Sequence, residues 1–121
     1  MSEQDKTVAM TALCGEVQRL LQLATEGLKP PSGSSETPRR KMSVFTYGVC
    51  LALARREAQE PAELYLEYLL QGGLSVAAAQ TVVERTTLKF MYTEYGPSCC
   101  QLGERFVQTE DAAEVAAILL S

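Results

Sequence analysis

Residues 44–54 read Val-Phe-Thr-Tyr-Gly-Val-Cys-Leu-Ala-Leu-Ala, and this stretch decides the class of fold. Ser43 before it is a candidate helix cap, and Arg55, Arg56 and Glu57 after it mark a return to water. The pattern predicts one helix over 43–58. Val44, Phe45, Tyr47, Val49, Cys50, Leu51, Ala52, Leu53 and Ala54 leave that helix almost no polar face. A helix that is apolar all round must be covered by neighbours on every side, so it is the central one.

The flanking segments supply candidates for the cover. Upstream, Ala9, Leu13, Val17, Leu20, Leu21, Ala24 and Leu28 recur at helical spacing and predict a helix over 7–28. Gly27 and Pro30-Pro31 stop it, because proline lacks an amide donor and disfavours helix in the residue before it. Residues 29–41 are rich in Pro, Ser and Gly and read as a flexible linker. That linker carries the basic cluster Lys29, Arg39, Arg40 and Lys41.

Downstream, Pro61 suits the first turn of a helix that carries Leu64, Tyr65, Leu66, Tyr68, Leu69 and Leu70 and ends at Gly72-Gly73. Glu60, Glu63 and Glu67 form an acidic stripe, read as a solvated face. Ser75 can cap a further helix that runs to about Tyr95, where Gly96-Pro97 reads as a stop. Leu88, Phe90 and Tyr92 also alternate, opposite Leu102, Glu104 and Phe106. A short β-hairpin around residues 88–107 is therefore the alternative to helix there. Thr109 can cap a last helix, 109–121, in which Glu114 is the one charged side chain after the first turn.

Together these readings give a mainly α fold. They predict a single domain over residues 1–121, built as a compact bundle of about five helices. At 121 residues the chain is long enough for a real core, and with no tryptophan that core must rest on Leu, Val and Ala.

The residue inventory bounds the chemistry. Histidine is absent, which removes the commonest general base and the imidazole metal ligand. The glycines match no phosphate-binding loop. Cys99-Cys100 is the most unusual dipeptide, read as two reduced thiols in a turn with one pointing inward. A thiol-dependent enzyme or redox sensor using Cys99 and Cys100 is the alternative reading. Four cysteines with no histidine are a poor set for a closed zinc site, so neither metal nor cofactor is expected.

The N-terminus, Met1-Ser2-Glu3-Gln4-Asp5-Lys6, lacks the basic-then-apolar pattern of a secretion signal. No run approaches the roughly 20 apolar residues of a bilayer span. The expected location is cytoplasmic, with no membrane partner.

One motif bears on nucleic acid. Residues 61–89 read helix, Gly-containing turn, capped helix, as in a helix-turn-helix. The second helix would offer Gln80, Thr81, Arg85 and Lys89 to a duplex, and Arg39-Arg40-Lys41 could add phosphate contacts. Glu84 and the acidic stripe oppose this, as does the net charge of -4.

In size and acidity the chain resembles small bacterial or phage accessory proteins such as chaperones and inhibitors, but no motif carries a residue role across. The expected function is non-catalytic protein–protein interaction: an adaptor, chaperone, inhibitor or assembly subunit that binds another protein or itself as a homodimer. The expected interface is the last helix, through Val115, Ile118, Leu119 and Leu120. A DNA-binding regulator is the second reading.

Overall fold

A computed structural model describes residues 3–26 and 36–119, with side chains described for 7–26 and 39–119. Among these residues there are six α-helices and no strand: α1 Glu3–Thr25, α2 Glu36–Arg56, α3 Pro61–Gln71, α4 Val76–Leu88, α5 Gly96–Thr109 and α6 Ala112–Leu119. A single 3-10 turn, Phe90–Tyr92, separates α4 from α5. No helix among them is long and apolar enough to cross a membrane.

The central position expected for residues 43–58 is what α2 occupies. It packs against all five other helices and the 3-10 turn. Val44, Phe45, Val49, Cys50, Leu53 and Ala54 are buried along its length. Its main partner is α5, and the two helices meet backbone to backbone at Gly48 and Gly103. Phe45 and Phe106 close one end of this crossing, with ring centroids 5.7 Å apart. Helix α1 lays Met10, Leu13, Cys14, Val17, Leu20 and Ala24 against the same core.

Five helices become six because residues 88–107 form neither a long helix nor a hairpin. Helix α4 stops at Leu88, the chain turns at Phe90–Tyr92, and α5 begins at Gly96. Gly96-Pro97, expected to end a helix, starts one. Pro97 lies in the first turn, where its missing donor has no partner to lose. Gly96 nests against the carbonyls of Phe90 and Met91, where a Cβ would collide. Leu102, Phe106 and Val107 then face the core at helical spacing.

The boundaries hold further corrections. Helix α2 begins at Glu36, so the second half of the expected linker, residues 36–41, is helical, and Ser43 lies inside the helix rather than capping it. Residues 29–35 fall outside the described part of the chain. Thr109 is the last residue of α5, not the cap of α6. Asp111 takes that role: its Oδ1 accepts hydrogen bonds from the amides of Ala113 and Glu114. Ser75 does cap α4, accepting from the Ala78 amide at 3.2 Å.

Helices α2 and α3 end alike. Behind α3, the Leu74 amide donates to the Leu69 carbonyl and the Gly73 amide to the Leu70 carbonyl. Behind α2, Gln59 donates to Ala54 and Ala58 to Arg55 in the same register. Both are Schellman closures. In α2 the left-handed position is held by Ala58, at φ 53°.

Candidate functional site

Helix α4 lies on the outside of the bundle. Ala79 and Thr86 are its only buried residues, and Val82 and Val83 are half-buried. The other side of the helix faces water in two rows along the axis: Val76, Gln80, Glu84 and Leu88, and beside them Ala77, Thr81 and Arg85, followed by Lys89 at the C-cap. Leu88 is 69% exposed, and Tyr92 in the 3-10 turn is 82% exposed.

The first described turns of α2 come alongside the C-terminal half of α4. Between them is a cleft of about 580 Å³, lined by Arg39, Arg40, Ser43, Val82, Arg85, Lys89 and Phe90. Four of the seven lining side chains are cationic and none is acidic. The Arg40 guanidinium lies over the Phe90 ring, 5.3 Å from its centroid, and the next residue, Lys41, reaches over Tyr95 at 6.0 Å.

Tyr65 of α3 is buried, with its phenol near the side chains of Thr86 and Ser43. The Thr86 hydroxyl donates to the Val82 carbonyl at 2.8 Å. Burial pushes the Tyr65 phenol up to about 12, against the smaller opposing effect of the Thr86 and Ser43 hydroxyls.

Three arginines elsewhere are paired, while the exposed Arg56 is in no ion pair among the described residues. Arg19 bridges Glu16 and Glu110, Arg55 meets Glu104, and Arg105 meets Glu114. The Arg19 hydrogen bond holds the Glu16 carboxyl below the usual carboxylate range. None of the ion pairs among the described residues involves Arg39, Arg85 or Lys89. A second hollow of about 360 Å³, lined by Gln101, Glu104, Arg105 and Gln108, carries its charges already paired.

The structure sorts the residues expected to be functional. Arg85 and Lys89 line the cleft, while Gln80 and Thr81 stand on the same exposed helix outside it. The Thr81 hydroxyl is turned back onto the Ala77 carbonyl. Arg39 and Arg40, read as part of a linker, are the contribution that sequence placed wrongly; Pro38 before them disguised a helix start. Val115 and Leu119 are enclosed by the chain's own helices, and Ile118 is half-buried against the core. Of the residues expected to form an interface on α6, Val115, Ile118 and Leu119 thus pack on the intramolecular core, and Leu120 lies outside the described residues.

Cys99 and Cys100 sit in the first turns of α5, not in an open turn, and both are buried. Burial raises the Cys99 thiol, only partly offset by Lys41. Burial, with Glu104 adding, pushes Cys100 up to about 11. This is the reverse of the lowered pKa that makes a thiol nucleophilic at neutral pH. Among the described residues no cluster of three His, Cys, Asp or Glu is placed to hold a metal ion. Comparison with known proteins returns no matching family model, no matching characterised sequence and no matching solved structure.

Proposed function

We propose that the protein is a non-catalytic module that binds another protein, with its working surface on the flank formed by α4, the 3-10 turn and the first described turns of α2. One observation carries this reading. Cations without carboxylate partners, Arg39, Arg85 and Lys89, converge on a cleft with Val82 and Phe90 in its lining, and Leu88 and Tyr92, which flank Lys89 and Phe90 in the chain, are exposed apolar side chains. Protein interfaces combine an apolar contact with a charged rim, and arginine and tyrosine are enriched among the residues that anchor them. That Val115 and Leu119 are enclosed within the chain supports reading the partner-binding surface on α4 over α6.

Photocrosslinking in the cells that make the protein tests this. A benzophenone amino acid at Tyr92 is expected to form an adduct with a protein, and the adduct is expected to vanish when Leu88→Asp is added. The same reagent at Gln108, on the α5 surface, serves as the control. Equal yields at the two positions, or a nucleic-acid adduct at Tyr92, would overturn the reading. The mass of any adduct, with light scattering on the pure protein, separates a second copy of this chain from a different partner.

A duplex-binding regulator is the second reading, supported by Arg85 and Lys89 lining the same basic cleft. It predicts a salt-dependent shift of duplex DNA that Arg85→Glu abolishes.

A further inference from the structure

We infer that the cleft between α2 and α4 receives an acidic segment of the partner protein, one that carries two or more carboxylates beside an apolar residue. This deepens the protein-binding reading and rests on it.

Charge is the first argument. Arg39 comes from α2, and Arg85 and Lys89 come from the end of α4, so like charges are held together on two separate helices. The chain as a whole is acidic, at -4, and provides carboxylates for Arg19, Arg55 and Arg105 but not for these three. Such an arrangement gains most when outside anions enter it. Arginine suits carboxylate in particular, because its planar fork donates two parallel hydrogen bonds to the two oxygens.

Extent is the second. The cations line a cleft of about 580 Å³, far more room than one isolated oxyanion fills. Several side chains projecting from one backbone can reach all of them at once. Ser43 adds a hydroxyl, and Phe90 and Val82 give the cleft apolar walls.

The surroundings decide the class of macromolecule. Leu88 and Tyr92 stand exposed in the same stretch of chain as Lys89 and Phe90, where a sugar–phosphate backbone would leave them wet and an apolar side chain of a peptide would cover them. Glu84 is exposed on α4 next to Arg85, and Glu94, Glu60 and Glu63 are exposed elsewhere on the surface. A long polyanion laid along α4 would run onto Glu84, whereas a short acidic segment can stay within the cleft.

The test uses the whole chain and three probes. The first is a fluorescein-labelled peptide that alternates Glu and Leu, the second is the same peptide with Gln for every Glu, and the third is a short mixed-sequence duplex DNA. Fluorescence anisotropy at low salt is expected to show binding of the acidic peptide, weakened by added salt, with the neutral peptide about tenfold weaker or more. Arg85→Glu and Arg39→Glu each change an exposed side chain, and circular dichroism verifies that both variants keep the helical fold. Each is expected to weaken acidic-peptide binding by about tenfold or more. Leu88→Ser is expected to weaken both peptides. Equal binding of the two peptides, indifference to both charge reversals, or binding of the duplex alone would overturn the inference. If the acidic peptide fails while the Tyr92 crosslink to a protein persists, this inference falls and the protein-binding reading stands. If both fail, both fall.

Discussion

Gly103 of α5 lies directly against the backbone of Phe45 in α2: a Cβ on Gly103 would overlap the Phe45 carbonyl oxygen and stand 2.8 Å from the Val49 amide nitrogen. The relation is reciprocal, since a Cβ on Gly48 would overlap the carbonyl of Cys100. Two helices cross this closely only where neither carries a side chain, and the atoms in the way are backbone, which cannot rotate aside.

Gly103→Ala and Gly48→Ala are therefore each expected to destabilise the fold by about 2–3 kcal/mol, because the added methyl forces the helices apart. Gly15→Ala is the control. Gly15 is exposed inside α1 with nothing within 4 Å of its would-be Cβ, so alanine there should gain about 0.5–1 kcal/mol. Urea unfolding of the three variants checks both signs at once. Losses below about 0.5 kcal/mol at Gly48 and Gly103 would contradict so close a crossing.

Ala58 closes α2 with φ at 53° and makes the hydrogen bonds that Gly73 makes behind α3. The left-handed conformation costs an L-residue roughly 1–2 kcal/mol, part of which glycine returns through a freer unfolded chain. Ala58→Gly is expected to stabilise the protein by about 0.5–1 kcal/mol. A thermal melt of this exposed-site variant should move upward.

The two hydroxyl and carboxylate caps separate the helix ends experimentally. Asp111→Ala removes the acceptor for the Ala113 and Glu114 amides and should cost about 1 kcal/mol, as should Ser75→Ala at the start of α4. Thr109→Ala removes only a 3.3 Å acceptor for the Asp111 amide and should cost less. The order of the three in urea unfolding checks which residue caps α6.

The thiols should make the fold sensitive to alkali. Burial, then the nearby Glu67, pushes Cys14 up to about 11, and burial and Glu104 do the same for Cys100. The fold thus favours the neutral thiol, while the unfolded chain ionises near the usual 9.0. Stability from these groups is whole below about pH 9 and is lost progressively between about pH 9 and 11. Melting temperature followed against pH should fall across that window and fall less in Cys14→Ala. Alkylation of the native protein by iodoacetamide at neutral pH should be slow and should accelerate on unfolding.

The sequence determined the class of fold and the identity of its centre. An apolar run without a polar face has to be surrounded, whatever surrounds it, and α2 is surrounded. The Ser75 cap, the Pro61 start and the inward residues of α1 were legible for the same reason: each depends on spacing along a single helix. The cysteines, Leu102, Phe106 and Val107 carried the helical spacing of α5 as well, but Gly96-Pro97 reads equally as an end or a beginning. Only the packing of Gly96 on Phe90 and Met91 settles which. The cleft belongs wholly to tertiary structure. Arg39 and Arg40 are 45 or more residues from Arg85, and no local rule says that the start of α2 meets the end of α4. What brings them together is the requirement to cover α2, which the close crossing at Gly48 and Gly103 allows α5 to meet on one side while α3 and α4 close the other.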